Sequence, residues 1–455
     1  MHKLKLQSGS KIAIIGGGPA GVFFAHFILK HLSEHSIDVS ITIFDGKDFL
    51  MAGPKGCNLC AGVLSDSLYE RLEEEGIVLP DSRIISRVEG YVLHVHGEQI
   101  KFSCQDNQIK PIATVFRGNG PRCSTFPDIV SFDDYLLSWI RERGVRVISQ
   151  PVGDIELPKD RMKSLRLSYG ENEKDKTFEA DLVVGAFGIN SSLLKKIQAK
   201  GFGYRPPSTL GIYQAEVMLG KDDIERNFGN NIHVFVPKSK TIRYASVVPK
   251  GDYISLTVIG RKDADKDILS ALTDLGEIDD KILFDKPACY CFPRIAVSPA
   301  KKPFTDRLVI LGDASFSRHY KNGIESALVT AQLAARTVVE RGIDSASFSS
   351  SYFKDAKRQI ISDNHYGRFL LKANDIITSS PLLTRAQISL INDTEKEETS
   401  KNLRFILWNM FTGNVSYKEI FWASLDLRMQ KYLFWNVIKS IFGKNQKSNQ
   451  SIESG

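Results

Sequence analysis

The chain opens on a short β-branched run, Lys11–Ile15, followed by glycines and then by an apolar stretch of helical length, Val22–Leu32. Val39–Phe44 alternates in the manner of a strand, so the first unit reads strand, glycine loop, helix, strand. A helix is predicted over Leu68–Glu75, and strand and hairpin material over Val88–Ile100. In Phe132–Arg143 the apolar residues Phe132, Tyr135, Leu136 and Trp139 recur at helical spacing, with Gly144 as a stop and a strand at Arg146–Ile148. Asp181–Ala186 and Arg307–Leu311 are near-continuous apolar runs of the buried-strand kind. Residues 205–289 between them carry many strand signals, clearest at Ile232–Pro237, Tyr244–Val248 and Tyr253–Ile259, and predict a mostly antiparallel region. Gly323–Arg341 is an alanine-rich helix, residues 346–443 read as mostly helical, and Lys444–Gly455 as a disordered polar tail.

A length of 455 residues predicts two to three domains, and 42% hydrophobic with 25% charged residues excludes a disordered or fibrous chain. The net charge of +7 suits an anionic cofactor or an anionic membrane surface. Nucleic acid is not an expected partner, because no basic cluster interleaves with aromatics. Six cysteines exclude a disulfide-built scaffold. The absence of a long apolar run and of an apolar leader points to a cytoplasmic protein, with peripheral attachment to a membrane surface as an extension of that reading.

The first strand ends in Gly16-Gly17-Gly18-Pro19-Ala20-Gly21, which is G-x-G-x-x-G between a strand and a helix. Gly16 would make the tight turn, Gly18 would admit a pyrophosphate against the backbone, and Gly21 would let helix and strand pack closely. The helix N-terminus supplies N–H donors and partial positive charge. Asp45 ends the next strand, where a carboxylate can accept hydrogen bonds from a ribose. Strand, loop, helix, strand and acid in that order predict dinucleotide binding, without separating FAD from NAD.

Three later stretches carry a resemblance. Arg307–Ala314 (RLVILGDA), ending in Gly312-Asp313-Ala314, resembles the C-terminal FAD motif of glutathione-reductase-like flavoproteins. That resemblance implies Asp313 on the ribityl chain, and Gly323 and Ile324 facing the isoalloxazine. Asp181–Ser191 (DLVVGAFGINS) resembles the GADGxNS motif of the aromatic hydroxylase class, with Gly188 in place and Phe187 where the usual aspartate contacts cofactor. Cys60–Ser65 (CAGVLS) and Tyr244–Gly251 (YASVVPKG) resemble segments of geranylgeranyl reductases, with Ser246 and Val248 at their Trp and Phe positions. The chain thus resembles the geranylgeranyl reductase family over residues 11–340. The resemblance implies an α/β fold: a Rossmann-like FAD-binding domain (9–70, 105–195 and 290–345) interrupted by an antiparallel β substrate domain (71–104 and 196–289). A C-terminal helical region (346–443) and the tail (444–455) follow.

The activity so implied is FAD-dependent reduction, or oxidation, of a carbon–carbon double bond in an apolar, isoprenoid-like substrate by hydride transfer at flavin N5. Cys60 and Tyr244 are the candidate proton donors. Ser246, Val248, Pro249 and Lys250 are the candidate substrate residues. NAD(P)H and a one-electron carrier both remain open as electron donor. A flavin-dependent monooxygenase or halogenase of the same fold is the first alternative, and a non-catalytic FAD-bound membrane protein the second.

Cys57-x-x-Cys60 and Cys289-x-Cys291 admit a redox dithiol, a metal or iron–sulfur site, or packed thiols near the flavin. The last is the favoured reading, with Cys60 lining the site by resemblance; Cys104 and Cys123 are isolated. His94 and His96 would share one face of a strand. Arg318–Asn322 would border the flavin. Residues 403–444 carry ten aromatics and six Lys/Arg against two Asp/Glu, and Phe434, Val437, Ile438 and Ile441 share a helical face. This pattern suits peripheral membrane contact or a packed helical cap.

Overall fold

The computed structural model describes residues 3–103, 112–172, 175–261, 267–276, 287–319 and 323–450. The strands that position the site are β1 (Ser10–Ile15), β2 (Val39–Phe44), β3 (Gly90–Val95), β4 (Arg146–Ile148), β5 (Leu182–Gly185), β6 (Thr209–Met218), β7 (Asn231–Val236), β8 (Ile242–Lys250), β9 (Tyr253–Gly260), β10 (Cys289–Cys291) and β11 (Leu308–Ile310). The helices are α1 (Pro19–Ser33), α2 (Phe132–Arg141), α3 (Gly323–Glu340), α4 (Asp363–Ser379), α5 (Pro381–Ile391), α6 (Glu397–Thr412), α7 (Tyr417–Ser424) and α8 (Leu427–Gln450).

β1 and β2 each end in four buried residues because helices and loops cover both faces of the sheet they join. That sheet runs β11–β5–β1–β2–β4 with every pair parallel, and Phe304–Thr305 closes one edge antiparallel. α1 starts at Pro19, whose missing N–H costs nothing in the first turn, and packs along α3. Ser131 caps α2 by accepting the Asp134 N–H, and the apolar stripe of α2 faces the same core. The architecture is the α/β one expected, a parallel Rossmann-type core with antiparallel sheets and C-terminal helices.

The second large sheet runs β10–β6–β9–β8–β7–β3 and ends in the hairpin strand Glu98–Ser103. It is antiparallel except at β7–β3, where a strand from well upstream lies parallel to β7. One face packs on its own short helices. The other meets the C-terminal helices, where Tyr91, Leu93, Ile232, Val234 and Val248 lie against residues of α5, α6 and α8.

α8 extends to Gln450, within the stretch 444–455 read from the sequence as a tail. One expectation fails. His94 and His96 do not share a face: His96 sits in the hairpin turn at φ 55° with its ring against Thr378 O, while His94 points into the protein. Cys104 and Tyr320–Asn322 lie outside the described residues.

His94 is buried beside His233 and stacks on Phe235 at 4.1 Å between ring centres. His233 Nε2–H donates to Phe228 O (3.0 Å), leaving Nδ1 to accept from His94 Nε2–H (2.9 Å). Burial pushes His233 down to about 4. Both rings are therefore neutral at pH 7. An unfolded histidine takes up a proton near its ordinary value of about 6.5, whereas folded His233 does not until about 4. Stability at this site is thus complete above the unfolded value and is lost as the pH falls through that window. Urea midpoints between pH 7 and pH 4.5 should fall less steeply for His233→Phe than for the wild type.

Candidate functional site

The glycine loop leaves almost no room at two positions. A Cβ on Gly16, which lies at φ 112°, would stand 2.4 Å from Ala186 O. One on Gly21 would stand 2.0 Å from Gly16 O. The first contact lets β1 and β5 deliver their loops to one point, and the second seats α1 on the turn. Asp45 closes the loop from the side: its Oδ2 accepts the Gly17 N–H (2.6 Å) and its Oδ1 the Lys47 N–H (2.7 Å). Burial pushes the Asp45 carboxyl up, and those two donors oppose the shift.

Opposite Gly18 stands a buried polar network. Arg117 grips Asp133 with Nε on Oδ1 (2.6 Å) and Nη2 on Oδ2 (2.9 Å), both side chains almost fully buried. Asn58 Nδ2 donates to the same carboxylate, and Lys47 Nζ donates to Asn58 Oδ1 (2.9 Å) and Cys57 O (2.6 Å). A Cβ on Gly18 would lie 3.3 Å from Asn58 Nδ2 and 3.9 Å from Arg117 Nη2. The cleft is thus narrow, faces the N-terminus of α1, and has a guanidinium on its far wall. That donor set fits the pyrophosphate of a dinucleotide. Arg117, Lys47 and Asn58 were missed in the sequence. Asp133 lies in the recognised FDDYL stretch, and its position in the first turn of α2 was the available signal for a buried arginine partner.

One cavity of about 1250 Å³ joins this cleft to the second sheet. Of the residues expected to hold cofactor, Gly16, Gly18, Pro19, Ala20, Asp45, Gly188, Gly312, Asp313, Gly323 and Ile324 line it. Gly21 does not, being spent on packing against Gly16. Asp313, in the helical turn Gly312–Ala314 after β11, faces the start of α3: a Cβ on Gly323 would lie 3.0 Å from Asp313 Oδ2. Burial pushes its carboxyl up. These positions fit FAD from pyrophosphate to ribityl chain. Phe187 also lines the cavity, its ring folded over Gly185, so an apolar surface stands where the resembled motif has a carboxylate.

Cys60, Tyr244, Ser246 and Val248 line the cavity. Pro249 and Lys250, also expected at the substrate, are not among the lining residues. Lys250 lies under the Cys57–Gly62 loop, 1% exposed, with Nζ 3.9 Å from Glu216 Oε1 and 4.7 Å from the Phe116 ring centre. A Cβ on Gly62 would meet Val115 O at 2.0 Å and Lys250 Nζ at 3.2 Å, so the loop rests directly on the lysine.

The register of β10 on β6 sets Cys289 beside Glu216 and Cys291 beside Gln214. Burial pushes the thiols of Cys57 and Cys289 up, and that of Cys291 up to about 12, so these three are protonated at neutral pH. Among the described residues no group of three or more His, Cys, Asp or Glu is arranged to hold a metal ion.

Arg318 does not serve as a solvated loop residue. It donates to Gly413 O (2.6 Å) and Val415 O (2.7 Å) and lies over the Tyr417 ring, which clamps the C-terminal helices to the loop before α3. Beyond Cys60 the cavity runs between the second sheet and α4, α5, α6 and α8, with predominantly apolar walls. Phe369, Leu425 and Phe434 both line it and stand 56%, 45% and 62% exposed, so they mark its mouth. Trp422, Leu427 and Trp435 are exposed as well, on or beside α7 and α8. No described helix is long and apolar enough to cross a membrane.

No family model and no curated protein matches the chain. Solved structures do. A geranylgeranyl bacteriochlorophyll reductase-like protein from Thermoplasma acidophilum aligns over 96% of this chain and 99% of its own at 14% identity and TM-score 0.65. The flavin-dependent brominase Bmp2 aligns over 93% and 100% at 16% identity and TM-score 0.62. A Klebsiella pneumoniae HpxO variant complexed with FAD aligns over 89% and 99% at 14% identity and TM-score 0.57. The fold is therefore that of the FAD-dependent flavoproteins, a group that includes reductases, halogenases and oxygenases.

Asp133→Ala would strand a buried arginine charge. It should cost about 3–5 kcal/mol in urea unfolding and lower flavin retention after gel filtration. The double variant Arg117→Met/Asp133→Leu should recover most of that stability but not the flavin.

Proposed function

We propose that the chain is an FAD-dependent oxidoreductase that reduces, or in reverse forms, a carbon–carbon double bond in an apolar, isoprenoid-like substrate, in the manner of geranylgeranyl reductases. The observation that carries this reading is the continuity of the FAD-shaped cleft with a long apolar arm. A deep apolar chamber beside a flavin suits a greasy chain that must be held away from water. FAD bound in the cleft would supply the hydride. The chain's own part is to hold the dinucleotide through Gly16–Ala20, Arg117 and Asp313, to align the substrate along the second sheet, and to deliver a proton. Cys60 and Tyr244 border the chamber and carry the protons within reach of it.

The test is anaerobic mixing of dithionite-reduced holoprotein with a C20 polyprenol. Flavin should reoxidise with saturation of the alkene, and Cys60→Ala should slow this about tenfold or more without changing flavin content. Reoxidation that requires oxygen, with hydroxylated or halogenated product, would instead assign the monooxygenase or halogenase chemistry of the same fold. Stable flavin with no turnover of any donor or acceptor would assign the non-catalytic role.

The mouth supports collection of the substrate from a lipid surface. Exposed Phe434, Trp435 and Leu427 accompany exposed Lys431 and Lys439 on α8, a combination that suits an anionic interface. Leu425→Asp with Phe434→Asp should weaken co-sedimentation with phosphatidylglycerol vesicles about tenfold, leaving flavin binding intact.

A further inference from the structure

The floor of the apolar arm is not uniform. Register places Gln214 on β6 beside Thr257 on β9, Thr257 beside Ser246 on β8, Ser246 beside Val234 on β7, and Val234 beside Leu93 on β3. All five line the cavity. One row across the sheet is therefore polar over three strands and apolar over the next two. The neighbouring row carries Glu216 and Ser255, and the Cys57–Gly62 loop resting on Lys250 covers that end of the sheet. Of that neighbouring row Val248 lines the cavity while Glu216 and Ser255 do not, whereas the row of Gln214 lines it on all five strands.

Within that row the hydrogen bonds do not close. Thr257 donates to Gln214 Oε1 (2.6 Å). Gln214 Nε2 has no partner, although the residue is only 4% exposed and lines the cavity. The Gln214 amide weakly opposes the upward push of burial on the Glu216 carboxyl, but that carboxyl takes the Ser255 hydroxyl at 2.7 Å and leaves Nε2 without a hydrogen bond. A buried N–H without an acceptor is a standing cost, and one lining a binding chamber is relieved when a ligand brings the acceptor. Charge narrows the ligand further. Two arginines line the cavity near this sheet: Arg243 is held by Asp375 at 2.6 Å, and Arg294 Nε donates to Thr209 Oγ1 at 2.6 Å. An anionic headgroup would meet neutral donors at Gln214 and Ser246 with a carboxylate behind them.

We infer that Gln214, with Ser246, is a specificity subsite for a neutral hydrogen-bond-accepting oxygen, a carbonyl or hydroxyl, on the substrate's flavin-proximal end. The apolar remainder of the substrate extends past Val234 and Leu93 toward the mouth. This rests on the oxidoreductase reading and names the substrate class it would take: an oxygen-bearing polyprenyl chain rather than a bare hydrocarbon or a phosphorylated one. Gln214 binds and selects; it donates no proton to the reaction.

The test uses the full-length holoprotein and three C20 polyprenyl probes of equal chain length ending in an aldehyde, a methyl group or a diphosphate, with Kd read from perturbation of the bound flavin's spectrum. Wild type should prefer the aldehyde over the methyl probe by about tenfold or more, since a site built to donate rejects an analogue that leaves it unpaired. Gln214→Met, which keeps the shape and removes the donors, should bring that preference within about threefold while methyl-probe affinity holds. Ser246→Ala should produce a smaller loss in the same direction, and it reads out the subsite if Gln214→Met proves unstable. An unchanged preference in both variants, or tightest binding by the diphosphate, overturns the subsite. If the methyl probe binds and reoxidises the flavin as well as the aldehyde does, the oxidoreductase reading stands and the subsite alone falls. If none of the three binds, both fall.

Discussion

The buried pair of Arg117 and Asp133 is the contact on which the rest of the site depends. Asp133 is fixed by the first turn of α2, Arg117 by the bend after the short strand Ile112–Thr114, and Asn58 joins them from the loop that bears Cys57 and Cys60. Three chain segments are therefore registered against Gly18 through one carboxylate. A buried ion pair of this kind contributes little net stability compared with an apolar replacement, but losing one member is severe. Its value here is positional: it carries a cation to the phosphate cleft and sets the height of the Cys57–Gly62 loop over the second sheet.

That loop divides the second sheet into two environments. Under it, Lys250, Glu216 and Ser255 form a closed polar layer with no route to the cavity lining. Beyond it, the same strands present alternate residues to the chamber. Burial holds the Glu216 carboxyl above its ordinary range while Lys250 at 3.9 Å opposes the shift. Within the layer the two charges thus oppose each other beneath the substrate floor.

Legibility from the sequence followed the range of the interactions. β1, α1, β2 and β5 were readable because glycines, β-branched runs and a terminal acid act within a few residues, and the fold follows from their order. The apolar character of the arm was foreshadowed by the aromatics of residues 403–444, but not its position, which needs α5, α6 and α8 laid against β3 and β7. Gln214 gave no local sign at all: its meaning comes from register with Thr257 and from burial by distant helices. Lys250 is the opposite case. It sits in a recognisable motif, yet the strand that carries it passes under the Cys57–Gly62 loop before it can reach the chamber.

The clamp made by Arg318 reaches further than its two hydrogen bonds. It ties the carbonyls between α6 and α7, flanked by the cavity-lining Thr412 and Tyr417, to the stretch that leads into α3, whose first residues Gly323 and Ile324 line the same cavity. Any motion that shifts those carbonyls to admit a long chain pulls on that stretch as well. The turn between α6 and α7 and the stretch before α3 are therefore joined through a single side chain.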